Sequence, residues 1–125
     1  MKDMTEAFFA DTYALIEISG TNPRYSPYKK ALLYTTKWNL TELYYHFLHD
    51  YGKEIADLYF EAYSDFEIEI TPSSIKEAMA FKLYNKKEKL SYVDCIGHCL
   101  AKEIGVRFLT GDQKFENKEN VEYVK

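Results

Sequence analysis

The chain has 125 residues, 46% of them hydrophobic and 17% aromatic, which suffices for one substantial core and leaves no room for a second domain. A formal net charge of −4 argues against strong non-specific attraction to nucleic acid, although acids that bind a cation count as negative only until it arrives. Cys95 and Cys99 are too few for a disulfide framework, no stretch nears the ~18 apolar residues of a membrane span, and Met1–Glu6 lacks a secretory pattern, so a soluble cytoplasmic protein is expected.

In chain order, Ala7–Ala10 is a short apolar run ending at Asp11 and reads as a buried strand. Thr12–Ile18 reads as a short helix closed by Ser19-Gly20. A loop marked by Asn22-Pro23 and Ser26-Pro27 follows, then a strand over Ala31–Thr35. Leu40, Leu43, Tyr44, Phe47, Leu48 and Tyr51 recur with helical spacing, Gly52 interrupts, and Ile55, Leu58, Tyr59 and Ala62 carry the period on to about Tyr63.

Phe66–Ile70 alternates as a strand does. Thr71-Pro72 supplies an N-cap and an N1 proline for a helix expected to turn Ile75, Ala78, Met79 and Leu83 inward. Tyr84–Leu90 is polar and reads as a solvated helix end and loop. Val93, Ile96, Gly97, Leu100, Ala101 and Ile104 form the most regular stripe in the chain, ended by Gly105. Val106–Leu109 reads as a strand reaching Thr110-Gly111-Asp112, and Val121–Val124 as the last one. The fold class is α/β: a single-domain α/β/α sandwich with a mainly parallel central sheet of about five strands.

Asp11, Glu42, Asp94 and Asp112 each fall just past a strand or in the first turn of a helix. Each has an ordinary structural use. Asp11 can cap the helix at Thr12, Asn39–Glu42 and Ser91–Asp94 have capping-box spacing, and Asp112 suits a turn. Together they carry more, because right-handed crossovers gather such positions at one edge of a parallel sheet. Carboxylates brought together there repel one another unless a divalent cation neutralises them. A zinc site from Cys95, His98 and Cys99 is disfavoured, since the thiols lie one turn apart with no second pair. His46 and His49 read as solvated.

Four segments carry a family resemblance: Ala10-Asp11-Thr12-Tyr13-Ala14-Leu15-Ile16-Glu17, Asn39-Leu40-Thr41-Glu42-Leu43, Leu90-Ser91-Tyr92-Val93-Asp94-Cys95, and Gly105 to Phe115 with Thr110-Gly111-Asp112 at its centre. In this order and spacing, over essentially the whole chain, the protein resembles the PIN-domain ribonucleases, above all the toxins of VapBC-type toxin–antitoxin pairs. The resemblance implies a PIN-like nuclease domain over residues 1–125 that cleaves RNA with a metal-activated water. Mg²⁺ or Mn²⁺ would sit on Asp11, Asp94 and Asp112, with Glu42 as a ligand through water or a base that orients the nucleophile. Thr110 would support Asp112 or a bound water from behind.

The implied partners are an RNA substrate, an antitoxin protein and a second copy of the chain in a homodimer. Lys86, Lys87 and Lys89, with Lys37 and Lys114, offer a basic lip for RNA or simply a solvated helix end. Tyr45, Tyr59 and Tyr63 suggest a groove for a partner's helix. Two positions depart from the family pattern. Tyr13 stands where Asn or Ser is usual, and Lys114 where a further acid is common. They keep open an alternative, a PIN-like module that binds RNA or protein with little or no turnover.

Overall fold

In a computed structural model, which describes residues 6–125, four parallel strands form one sheet; the amino-terminal stretch read above for a leader lies almost wholly outside the described residues. The strands are β1 (Ala7–Ala10), β2 (Leu32–Tyr34), β3 (Arg107–Thr110) and β4 (Val121–Tyr123), in the order β2-β1-β3-β4. Five helices connect them: α1 (Thr12–Ser19), α2 (Lys37–Tyr51), α3 (Lys53–Ser64), α4 (Pro72–Tyr84) and α5 (Tyr92–Ile104).

Strand alternation divides the core in two. Phe8 and Ala10 of β1 and Leu109 of β3 point to one face, where they pack with Leu15, Leu40, Leu43 and Phe47 of α1 and α2 and Ala56 of α3. Phe9 and Phe108 point to the other, against Ala78 of α4 and Cys95, Leu100 and Ala101 of α5. This is the α/β/α layering expected. A methyl group on Gly97 would lie 2.7 Å from the Phe9 ring and 3.0 Å from that of Phe108, so glycine lets α5 settle directly on the sheet.

Several elements depart from expectation. The fifth strand, Phe66–Ile70, shrinks to a single parallel bridge between Thr35 and Glu67. Its alternation is real, with residues 66, 68 and 70 half-buried and 67 and 69 exposed. Its neighbour stops too early, because Thr36 caps α2 by accepting from the Asn39 amide at 3.3 Å. Beyond Ile68 there is no strand left to pair with. The same cap starts α2 before Leu40, making Asn39 an interior residue rather than an N-cap.

The segment expected as a loop is a 3-10 helix over Pro23–Lys30, capped by Asn22 and anchored by buried Tyr25, whose hydroxyl donates to the Val124 carbonyl at 2.5 Å. Helix α4 turns the expected Ala78 and half-buried Met79 inward, with Ser74 and half-buried Phe81 beside them in place of Ile75 and Leu83. Ile75 and Leu83 are 44% and 69% exposed, while Ser74 and Ala78 are buried. Lys82, half-buried, donates to the Leu90 carbonyl, and Leu90 itself is buried rather than solvated. Among the described residues, no helix is long and apolar enough to cross a membrane.

Candidate active site

The carboxyl ends of β1 and β3 lie side by side, with Ala10 opposite Leu109 in the register. Each strand hands over to an acid: Asp11 follows β1, and Asp112 follows β3 after Gly111. Helix α5, which feeds β3, brings Asp94 in its first turn, where Ser91 caps the helix by accepting from the Asp94 amide at 3.0 Å. Asp11, Glu42, Asp94 and Asp112 therefore line one open cleft of about 440 Å³, together with Thr12, Tyr13, Ser91 and Gly111. Residues far apart in the sequence meet as the crossover argument required.

Asp11 is 2% exposed, and its oxygens serve two neighbours. Oδ1 accepts from the Ala14 amide at 2.7 Å, the cap that begins α1. Oδ2 accepts from the Thr110 hydroxyl at 2.5 Å. Thr110, fully buried, also accepts from the Asp112 amide at 3.0 Å, so a single hydroxyl ties Asp11 to the turn that carries Asp112. Asp112 in turn accepts from the Lys114 amide at 3.0 Å. Capping and cleft-lining thus coexist, since a carboxylate has more lone pairs than one cap consumes.

Burial pushes Asp11 up to about 7, with Asp94 and Asp112 adding to the rise and the Thr110 and Ala14 hydrogen bonds opposing it. Asp94 is pushed up to about 6, again chiefly by burial, then by Asp112 and Glu42, against the Ser91 hydroxyl and Lys114. Two carboxyls that hold protons so tightly belong to an electron-rich, partly dry site that a cation would relieve. The acids lining the cleft offer only carboxylate oxygens, a donor set that suits a hard divalent cation.

Glu42 is exposed on α2 yet reaches the cleft, because its Oε1 accepts from the Thr12 hydroxyl at 2.5 Å. Thr12 also accepts from the Asn39 side-chain amide at 3.2 Å, and Asn39, fully buried, accepts from the Thr36 hydroxyl at 2.6 Å. This polar chain from the start of α2 to the rim was missed by the sequence reading, which treated Asn39 only as a cap. The available signal was a polar residue, Asn39, one place before the core residue Leu40, with Thr12 directly after Asp11.

Lys86, Lys87, Lys89 and Lys114 are exposed, and the Lys114 ammonium donates to the Lys89 carbonyl at 3.2 Å, near Asp94. His46 sits near Asp50 on the surface of α2, as does the more exposed His49.

Cys95, His98 and Cys99 do not converge. Cys95 is in the core, His98 bonds the Glu119 carbonyl at 2.8 Å, and Cys99 faces Glu77 and Glu103. Potential ligand atoms of Glu77, Cys99 and Glu103 lie within 4.8 Å of one another, closer than the cleft acids gather as a group. There the thiol donates to Glu77 at 3.6 Å, and burial together with both carboxylates pushes it up to about 11, which describes a protonated thiol between two acids.

Tyr63 is buried, its hydroxyl 2.7 Å from that of Ser19 and 3.3 Å from the Leu15 carbonyl, so it belongs to the core and not to a groove. Tyr59 does line a groove, shared with Ile16, Phe47, Tyr51 and Ile55 of α1, α2 and α3, while Tyr45 is exposed outside it.

Comparison with solved structures finds the same fold in Mycobacterium tuberculosis VapC20, described as a sarcin-ricin loop cleaving toxin, with TM-score 0.66 and 16% identity over 84% of this chain and 91% of that one. A toxin–antitoxin complex from Klebsiella pneumoniae matches with TM-score 0.72 and 18% identity over 94% and 96% of the two chains. A protein from Pyrobaculum aerophilum matches with TM-score 0.69 and 14% identity over 97% and 92%. A search of curated protein sequences gives no match. The family model for the PIN domain matches residues 8–121, and the chain belongs to the PIN domain family.

Proposed function

We propose that this chain is a ribonuclease dependent on Mg²⁺ or Mn²⁺ and acts in the cytoplasm as the toxin of a toxin–antitoxin pair, its 125 residues forming one nuclease domain. The observation that carries this reading is the convergence of Asp11, Glu42, Asp94 and Asp112 on one cleft at the carboxyl edge of a parallel sheet, with Asp11 and Asp94 both shifted upward. The PIN family match supports the nuclease class, and the toxins among the structural neighbours support the biological role.

Asp11, Asp94 and Asp112 would hold the cation, and Glu42 would complete the set through a water or orient the attacking one. A bound divalent cation supplies charge neutralisation on the phosphoryl oxygens and lowers the pKa of the attacking water. The chain's own groups do the rest. Thr110 keeps Asp11 and Asp112 in register, and the Thr12–Asn39–Thr36 chain fixes Glu42 at the rim. Lys86, Lys87, Lys89 and Lys114 form the lip that meets the RNA backbone, with Lys37 a further positive charge. The Tyr59 groove between α1, α2 and α3 takes a helix of the antitoxin, and the remaining exposed apolar surface serves a homodimer.

The test is cleavage of labelled RNA by the purified chain with Mn²⁺, with EDTA, and by Asp94→Asn. Cleavage that needs the cation and falls roughly 100-fold or more in the variant is expected. Equal cleavage by Asp94→Asn, with its fold intact by circular dichroism, would reject the assignment.

A further inference from the structure

We infer that Tyr13 is a stacking platform for an unpaired nucleobase next to the scissile phosphate. This rests on the ribonuclease reading above and narrows it. Tyr13 follows Asp11 and Thr12 at the start of α1 and lines the same cleft as the four acids.

Its ring is pinned by two buried neighbours. An ideal Cβ on Gly111 would fall 2.1 Å from Tyr13 Cε1, so only glycine before Asp112 leaves the ring its place. On another side stands fully buried Tyr25, with ring centroids 6.2 Å apart and planes at 55°. Tyr13 nonetheless remains 37% exposed, and among the described residues no hydrogen bond engages its hydroxyl.

An aromatic ring held this firmly gives contact area with little rotamer freedom to lose on binding. Stacking needs a π-face rather than a particular base edge, so it tolerates sequence while demanding that the base be free. A base inside a duplex is already stacked and paired, and cannot reach such a platform. The acids beside Tyr13 set where the phosphate lies, so the base that lands on the ring is one flanking the cut.

The test is steady-state cleavage of a single-stranded oligoribonucleotide with Mn²⁺ by the wild-type chain and by Tyr13→Phe, Tyr13→Leu and Tyr13→Ala, each checked by thermal melting. Tyr13→Phe is expected to rescue KM to within about twofold, and the Leu and Ala variants to raise it roughly 5- to 100-fold with a smaller change in kcat. An abasic nucleotide beside the mapped cut should erase the difference, and a hairpin enclosing the cut in duplex should resist cleavage. Tyr13→Leu with the wild-type KM, or rapid cutting within duplex, overturns this inference alone. Failure of the wild-type chain to cleave any RNA with either cation overturns the ribonuclease reading and this inference with it.

Discussion

Replacing Asp11 by Asn should stabilise the metal-free protein at alkaline pH while abolishing its activity. Burial raises the Asp11 carboxyl from 3.8 to about 7. The folded form holds that proton more tightly than the unfolded chain, so stability declines as pH climbs from 3.8 and levels off above about 7. At about 1.4 kcal/mol per tenfold change in proton affinity, the ionised side chain costs at most roughly 4 kcal/mol at pH 8.

Asn keeps the oxygen that caps α1 at Ala14, but it turns the Thr110 hydroxyl from donor to acceptor and leaves its proton to find a new partner. That lost bond removes ~1–2 kcal/mol from the gain, so a net stabilisation of roughly 1–3 kcal/mol is expected. For a domain of this size that is several degrees in Tm. Melting curves in EDTA at pH 8 and pH 5 read it out. The variant should melt higher at pH 8, with the gap shrinking by roughly half or more at pH 5, where much of Asp11 is protonated. Added Mn²⁺ should raise the wild-type Tm and move the variant little. An Asp11→Asn protein less stable than wild type in EDTA at pH 8 would refute the reasoning, because Asp11 would then be a helix cap and nothing more.

Thr110→Val deletes the hydroxyl shared by Asp11 and the Asp112 amide, and should lower kcat roughly 10- to 100-fold. Because the Thr110 bond pulls Asp11 downward, its loss should also move the acidic limb of the pH–rate profile to higher pH; an unchanged profile counts against it. Thr12→Val leaves Glu42 without its donor and buried Asn39 with an unpaired amide, so kcat should fall about 5- to 10-fold and stability by ~1–2 kcal/mol, read by kinetics and urea melts. Neutralising Lys86 and Lys87 together should weaken RNA binding and lower the slope of log affinity against log salt by about 1.4 if both meet phosphates; an unchanged slope would mark them as merely solvated.

Much of this site was legible in the chain because it depends on connectivity. Asp11 and Asp112 end strands, Asp94 opens the helix that feeds β3, and handedness brings those points together without any knowledge of packing. Glu42 lies on the exposed face of α2, and its Oε1 accepts from the Thr12 hydroxyl at the cleft rim.

What escaped was tertiary. The stripe beginning at Leu40 hid the true start of α2 at Lys37, capped by Thr36, since Lys37 and Trp38 face solvent. Ile75 and Leu83 read as core by hydrophobicity, yet α4 meets α5 through Ser74 and the expected Ala78, with Met79 and Phe81 half-buried beside them, which leaves Ile75 and Leu83 outside. Phe66–Ile70 has the alternation of a strand but lacks a neighbour long enough to make it one. Tyr63 was assigned to a surface groove because periodicity does not reveal that its hydroxyl finds Ser19 and the Leu15 carbonyl inside.

The most direct measurement is a crystal structure grown with Mn²⁺ and recorded at the manganese absorption edge. An anomalous peak within the cleft, ligated by carboxylate oxygens of Asp11, Asp94 and Asp112, is the result this account predicts. A peak confined to Glu77, Cys99 and Glu103, or none anywhere at millimolar Mn²⁺, would contradict it.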